Sequence, residues 1–149
     1  MGTIELHHDF NEFLRLLNAN GVRYLLVGGH AVGFHGYPRA TGDMVVWVAA
    51  EPVNVERLVQ AVQEFGLPAD DTTKEALLQR NRIIRMGYPP VRIELLTDIS
   101  GVDFEECYGQ RTTAESDGIP VSIISLPMLK ANKKAAGRLK DLEDLRHLP

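Results

Sequence analysis

The chain has 149 residues with 16 Lys and Arg against 20 Asp and Glu, so its formal net charge is −4. This length predicts one domain with a hydrophobic core of its own. No apolar run reaches the roughly 18 residues of a membrane span, so we expect a cytoplasmic protein that does not enter membranes. The single Cys107 excludes internal disulfides and cysteine-based zinc modules. The net negative charge argues against coating nucleic acid by bulk charge, so any RNA contact has to be local.

Helix and strand signals alternate along the first half of the chain. Apolar residues recur at helical spacing after Asp9, which we expect to cap a first helix that ends at Gly21. Short apolar runs rich in branched residues are typical of buried strands. The predicted elements that follow are strands over Val22 to Val27 and Met44 to Ala49, and helices over Gly29 to Phe34 and Val53 to Phe65. The unbroken apolar character of the second strand predicts an interior position in its sheet.

Turn signals divide the second half of the chain into short elements. Gly87 to Pro90 favours a hairpin, and Asp117-Gly118 is a strong turn dipeptide. The predicted strands are Arg82 to Met86, Val91 to Leu96, Arg111 to Ala114 and Pro120 to Ile124. The predicted helices are Lys74 to Gln79, Asp103 to Tyr108, a helix capped by Ser125 that ends at Ala136, and Arg138 to Leu148. Together these signals predict a single α/β domain with a mixed β-sheet flanked by helices.

The turn after the first predicted strand is a candidate anion site. Gly28 and Gly29 lie where a strand runs directly into a helix, so bare backbone N–H groups are exposed at a helix N-terminus. Such a turn can hold the phosphates of a nucleoside triphosphate. The alternative is that the two glycines only form a tight connection between strand and helix.

Two acidic residues are placed where they could complete such a site. Asp43 stands at the head of the second strand, and Glu94 lies within an apolar strand on the face opposite Val91, Ile93 and Leu95. A carboxylate in an apolar strand is expensive to bury, and a partner charge or a metal ion is the usual reason for its presence. The alternative is that Asp43 caps a turn and Glu94 is an edge-strand charge in a purely structural domain.

The order of these motifs resembles the minimal nucleotidyltransferases of the polymerase-β-like superfamily. The resemblance rests on Gly-Gly at 28–29, Thr-Gly-Asp at 41–43 and Val-Arg-Ile-Glu-Leu-Leu-Thr at 91–97. It also includes His-Gly-Tyr-Pro-Arg at 35–39, Gly-Val-Asp-Phe-Glu-Glu at 101–106 and Asn-Lys-Lys-Ala-Ala-Gly-Arg-Leu-Lys-Asp at 132–141. Within the superfamily the chain looks most like small prokaryotic proteins related to abortive-infection and toxin–antitoxin nucleotidyltransferases.

The resemblance implies transfer of a nucleoside monophosphate from a Mg²⁺-bound nucleoside triphosphate to a hydroxyl acceptor. Gly28 and Gly29 would hold phosphates, and Asp43 and Glu94 would be the first and third of three carboxylates around two Mg²⁺ ions. The acceptor would be RNA or a protein. The same resemblance suggests a partner protein encoded as the second half of a two-gene system.

Basic residues near the predicted site are further candidates for nucleotide contact. Arg39 lies in the loop before Asp43, and Lys133 and Arg138 belong to a segment with five positive charges in eleven residues, Lys130 to Lys140. Such a run is usually a solvated helix face. In an acidic protein with a triphosphate site, it is also a local source of positive charge for nucleotide or nucleic acid.

The chain departs from the family pattern at the second carboxylate, where Val45 stands two residues after Asp43. A missing unit charge about 4 Å from a cation is worth about 4 kcal/mol at an effective dielectric constant near 20. That deficit corresponds to a loss on the order of a thousandfold in metal binding or rate. Val45 marks a pseudoenzyme, an inactivating substitution, or a site completed by another acid such as Asp98. The rival function is therefore an inactive nucleotide-binding or partner-binding module.

Overall fold

A computed structural model describes residues 2–149 and contains seven strands and seven helices within that range. The strands are β1 (Gly2–Thr3), β2 (Tyr24–Val27), β3 (Met44–Val48), β4 (Ile83–Tyr88), β5 (Val91–Leu96), β6 (Thr112–Ser116) and β7 (Ile119–Ile123). The helices are α1 (His8–Ala19), α2 (Gly28–Phe34), α3 (Pro52–Phe65), α4 (Asp71–Leu77), α5 (Phe104–Gly109), α6 (Leu126–Ala136) and α7 (Leu139–His147).

All seven strands form one mixed sheet in the order β1-β6-β7-β2-β3-β5-β4. β2 runs antiparallel to β3, and β3 runs parallel to β5. Two antiparallel hairpins, β4-β5 and β6-β7, lie on the two sides of this centre. The sheet confirms the predicted mixed α/β fold and the predicted interior position of β3.

The core forms where the apolar sides of the helices meet the sheet. Every residue of β2 is buried, and the largest fully buried side chains include Trp47 of β3 and Tyr24 of β2. Phe13 of α1 packs edge-to-face against Phe65 of α3, with ring centroids 5.2 Å apart. α1 and α3 are therefore docked together through the same apolar spacing that predicts them as helices.

Several predicted boundaries differ from the structure because side-chain caps fix the helix starts. The prediction of Asp9 as the cap of α1 is wrong: the Nδ1 atom of His7 accepts the Asp9 backbone N–H at 3.1 Å. α4 begins at Asp71, three residues before the predicted start, because Asp70 and Thr73 form a capping box. β1 was not predicted, since two residues carry no periodic pattern.

None of the helices within residues 2–149 is both long enough and apolar enough to cross a membrane. The cytoplasmic location stays a prediction.

Candidate functional site

The connection between β2 and α2 depends on two glycines. Gly28 has a φ of +70°, and a Cβ atom there would lie 3.1 Å from the Cβ of Val45. A Cβ atom at Gly29 would lie 2.6 Å from the side chain of Thr41. Both positions therefore require glycine, Gly28 through its backbone conformation and its neighbour, and Gly29 through close approach. The tight-turn role of the two residues follows directly from these contacts.

The strand register brings the predicted acids to the same side of the sheet. Val45 is paired with Val27 of β2 on one side and with Glu94 of β5 on the other, and Glu94 is paired in turn with Arg85 of β4. Asp43 precedes β3 by one residue, and strand alternation gives it the same face as Val45. Residue 45 thus lies in the row that runs from the glycine turn to Glu94.

Each of the two acids is paired with an arginine. Asp43 accepts a hydrogen bond from Nε of Arg92 at 3.0 Å, and Nη2 of the same arginine lies 2.9 Å from the carboxylate. Glu94 accepts from Nε of Arg85 at 2.8 Å, and the Glu94 side chain is only 18% exposed. The Asp43 carboxylate raises the pKa of Arg92 above its ordinary value, mainly through the hydrogen bond. A partner charge or a metal ion was the expected reason for acids at these positions, and the structure shows a partner charge for both.

The glycine turn, Asp43, Val45 and Glu94 line a cleft of about 840 Å³. Side chains from β4, α6 and α7 also line this cleft. The lining contains Gly28, Gly29 and Val45, three acidic residues and six basic residues. The acidic residues are Asp43, Glu94 and Asp98, and the basic residues are Arg39, Arg82, Arg85, Lys133, Arg138 and Lys140. The predicted site residues are therefore brought together at one cleft. Its lining is net positive on a protein whose net charge is −4.

Lys133 has a different environment from the solvated helix face that its charge run suggested. Its side chain is 6% exposed, and its Nζ lies 3.1 Å from Oδ1 of Asp141 and 3.1 Å from Oδ2 of Asp144. Arg39 donates to both carboxylate oxygens of Asp144 at 3.0 Å, and Arg138 donates from Nε to Asp141 at 2.7 Å. We call these five residues the buried ion-pair network. It joins the loop before β3 to α6 and α7.

The network shifts the titration of one of its acids. Burial alone would raise the pKa of the Asp141 carboxyl. Hydrogen bonds from Arg138 and Lys133 outweigh burial and hold that pKa below its usual range. Asp141 is therefore charged at neutral pH and forms a structural part of the fold.

His30 lies in the first turn of α2, directly after the glycine pair. Its Nδ1 atom is buried and has no hydrogen-bond partner within residues 2–149. Its ring packs edge-to-face against Phe10, with centroids 5.7 Å apart. Burial lowers the pKa of His30, so the ring is neutral at pH 7.

The donors at the cleft do not match a site for two Mg²⁺ ions. Within residues 2–149 no group of three or more His, Cys, Asp or Glu side chains is arranged to hold a metal ion. Asp98, the acid considered as a replacement for a second carboxylate, lines the cleft but accepts the backbone N–H of Asn81 at 2.8 Å. Val45 fills the space beside Gly28 with an apolar side chain. Mg²⁺ commonly takes one or two protein carboxylates together with substrate phosphates, and here Asp43 and Glu94 would have to give up their arginine partners to bind it.

Sequence reasoning missed the arginines of this site. Arg85 and Arg92 were absent from the predicted set, and so was Arg82. Strand alternation from Glu94 gives Arg92 the same face, which was a usable signal. The position of Arg85 depends on the register of the β4-β5 hairpin, which a single sequence does not specify.

Comparison with known proteins supports the fold. The chain has a TM-score of 0.62 to the crystal structure of a protein of Thermotoga maritima, TM1012, described as a "putative nucleotidyltransferase". The two share 15% sequence identity, and the similarity covers 92% of this chain and 88% of the other. No protein-family model and no curated protein matches the chain. The chain therefore has a nucleotidyltransferase-like fold, as its motifs predicted.

Proposed function

We propose that this chain is a nucleotidyltransferase-like protein that binds a nucleoside triphosphate in the cleft and whose nucleotidyl transfer is impaired at Val45. The observation that carries the proposal is the charge of the lining. Six basic side chains and the Gly28-Gly29 turn face a cleft whose acids Asp43 and Glu94 are already held by arginines. A polyanion is the ligand that such a surface attracts.

The size of the cleft suits this ligand. Small-molecule sites in proteins have volumes of roughly 300–1,000 Å³, and the cleft measures about 840 Å³. A nucleoside triphosphate fits within that volume and leaves room beside it. Its phosphates would lie near the basic side chains, where charge-assisted hydrogen bonds are strongest.

Transfer of the nucleotidyl group needs more than binding of the nucleoside triphosphate. Nucleotidyl transfer requires the acceptor hydroxyl to be activated and the leaving pyrophosphate to be stabilised. In this proposal Asp43 and Glu94 would do this work, but Arg92 and Arg85 neutralise them. Val45, which pairs with Glu94, supplies no further carboxylate, and this supports binding without efficient transfer. That the acceptor is RNA or a protein stays a prediction. That the chain has a partner protein encoded in a two-gene system also stays a prediction.

The proposal is tested with ATP labelled at the α-phosphate. The purified protein is incubated with labelled ATP and a cell lysate, and bound and covalently transferred label are measured separately. We expect reversible binding to the protein and a rate of label transfer to RNA or protein close to that without the protein. Absence of binding would contradict the nucleotide site, and rapid transfer would contradict the impairment at Val45.

A further inference from the structure

The basic side chains of the cleft fall into two groups according to their partners. Arg39, Arg85, Lys133 and Arg138 each contact a carboxylate at 3.1 Å or less. Arg82 and Lys140 form no ion pair with any residue in the range 2–149, although both line the same cleft. Arg82 and Lys140 are therefore the cleft cations that a ligand can recruit without competing with a carboxylate of the protein.

The backbone of Arg82 is anchored by a hydrogen bond, whereas its guanidinium has no carboxylate partner within residues 2–149. Its backbone N–H donates to Oγ1 of Thr97 at 2.9 Å, which anchors the residue immediately before β4. Its guanidinium contacts the side-chain oxygen of Gln79, a neutral acceptor. A guanidinium has five N–H donors, so most of them remain available to a ligand.

Lys140 comes from another part of the chain. It lies in the first turn of α7, is exposed, and belongs to the wall of the cleft that α6 and α7 form. Its neighbours in the network, Lys133 and Arg138, are both held by Asp141. Recruiting either of them to a ligand would leave that buried carboxylate with fewer partners, which is costly. Lys140 can move toward a ligand without breaking any ion pair.

We propose that Arg82 and Lys140 are the residues that bind the phosphate groups of the ligand, and that the other four basic residues maintain the shape of the cleft. This inference rests on the proposed function, because it assigns the phosphate contacts of that same site. The sequence prediction placed those contacts on Arg39, Lys133 and Arg138 and included Lys140 only as part of the basic segment; Arg82 was not predicted. If both side chains bind the phosphates and not the nucleoside, inorganic tripolyphosphate should occupy the same site as ATP.

The experiment measures ATP binding by titration calorimetry at low ionic strength, with four single variants and tripolyphosphate as a competitor. Arg82→Gln and Lys140→Gln each remove one cleft charge. Arg111→Gln and Lys134→Gln are matched controls, because both residues are exposed, carry the same charge, form no ion pair within residues 2–149 and lie outside the cleft lining. Thermal unfolding verifies that all four variants fold.

We expect Arg82→Gln and Lys140→Gln each to weaken ATP binding by about ten- to hundredfold, the usual effect of losing a hydrogen bond to a charged group. The two control variants should change the affinity less than about twofold, consistent with screened surface charges. Tripolyphosphate should displace ATP. If the wild type binds ATP but the cleft variants bind like their controls, the assignment is wrong while the nucleotide site stands. If the wild type binds neither ATP nor tripolyphosphate, both the site and the assignment are wrong.

Discussion

Residue 45 lies between the glycine turn and Glu94 in the cleft. Its side chain is half-buried, contacts Gly28 and is paired in register with Glu94. The next residue, Val46, points the other way into the core and is fully buried. This difference between neighbours gives a direct way to separate a site position from a core position.

We predict that Val45→Asp folds, with a loss of stability below about 2 kcal/mol, and gains Mg²⁺-dependent binding of ATP. The new carboxylate would face the cleft beside Asp43 and Glu94, where a cation can offset its charge. The gain is measured by ATP titration with and without Mg²⁺, and transfer activity should rise by orders of magnitude.

Val46→Asp serves as the matched control for that variant. It places the same charge in the dry interior, where an unpaired carboxylate costs several kcal/mol, and we expect it to unfold or aggregate. A soluble Val45→Asp protein with no gain in Mg²⁺ or ATP affinity would contradict the assignment of residue 45 to the second carboxylate position.

The elements at the C-terminus are held to the cleft by the buried ion-pair network. Lys133 of α6 contacts Asp141 and Asp144 of α7, and Arg39 contacts Asp144 from the loop before β3. A buried charge that loses its partner is strongly destabilising, whereas an exposed lysine contributes little. The stability of α7 therefore depends on Lys133 much more than on its neighbour Lys134.

We predict that Lys133→Met lowers the free energy of unfolding by about 3 kcal/mol, because it leaves Asp141 and Asp144 with fewer positive partners. Lys134→Met should change it by less than about 0.5 kcal/mol. Both values are measured by urea unfolding of the full chain. Equal, small effects of the two variants would show that Lys133 is an exposed charge after all.

The elements also show how far one sequence predicts this structure. Apolar spacing was sufficient for α1, α3 and the buried strands, since burial follows directly from the pattern. Starts of helices were missed where the cap was an unusual residue, as at His7, or where a capping box lay in a polar stretch, as before α4. The glycine turn and both acids were found from motifs. Their arginine partners and the burial of Lys133 depend on the packing of distant segments, which local patterns do not contain.

The stability of the whole protein at acidic pH depends on two groups with buried atoms, His30 and Asp141. Burial lowers the pKa of His30, and the positive charge of Arg39 lowers it further, whereas the nearby Asp43 backbone raises it by a smaller amount than burial lowers it. Asp141 is held charged by its basic partners. Both groups have pKa values below their unfolded values, so the unfolded chain binds protons first as pH falls. Each group therefore loses its contribution below its ordinary pKa, His30 below 6.5 and Asp141 below 3.8.

We predict that the melting temperature falls in two stages on acidification, first below about pH 6.5 and again below about pH 4. His30→Gln should remove most of the first stage and leave the second. Thermal unfolding from pH 7.5 to pH 3 measures both. A first stage that persists unchanged in His30→Gln would assign it to another group.

If the cleft binds a triphosphate through its own basic side chains, as proposed, binding does not require a metal ion. The most direct test is the affinity of the wild-type protein for ATP, measured once in EDTA and once in excess Mg²⁺ at the same ionic strength. We predict binding in EDTA at least as tight as in Mg²⁺, because free ATP carries more negative charge than its Mg²⁺ complex and because Asp43 and Glu94 are already paired with arginines. Binding that appears only in the presence of Mg²⁺ would contradict the claim.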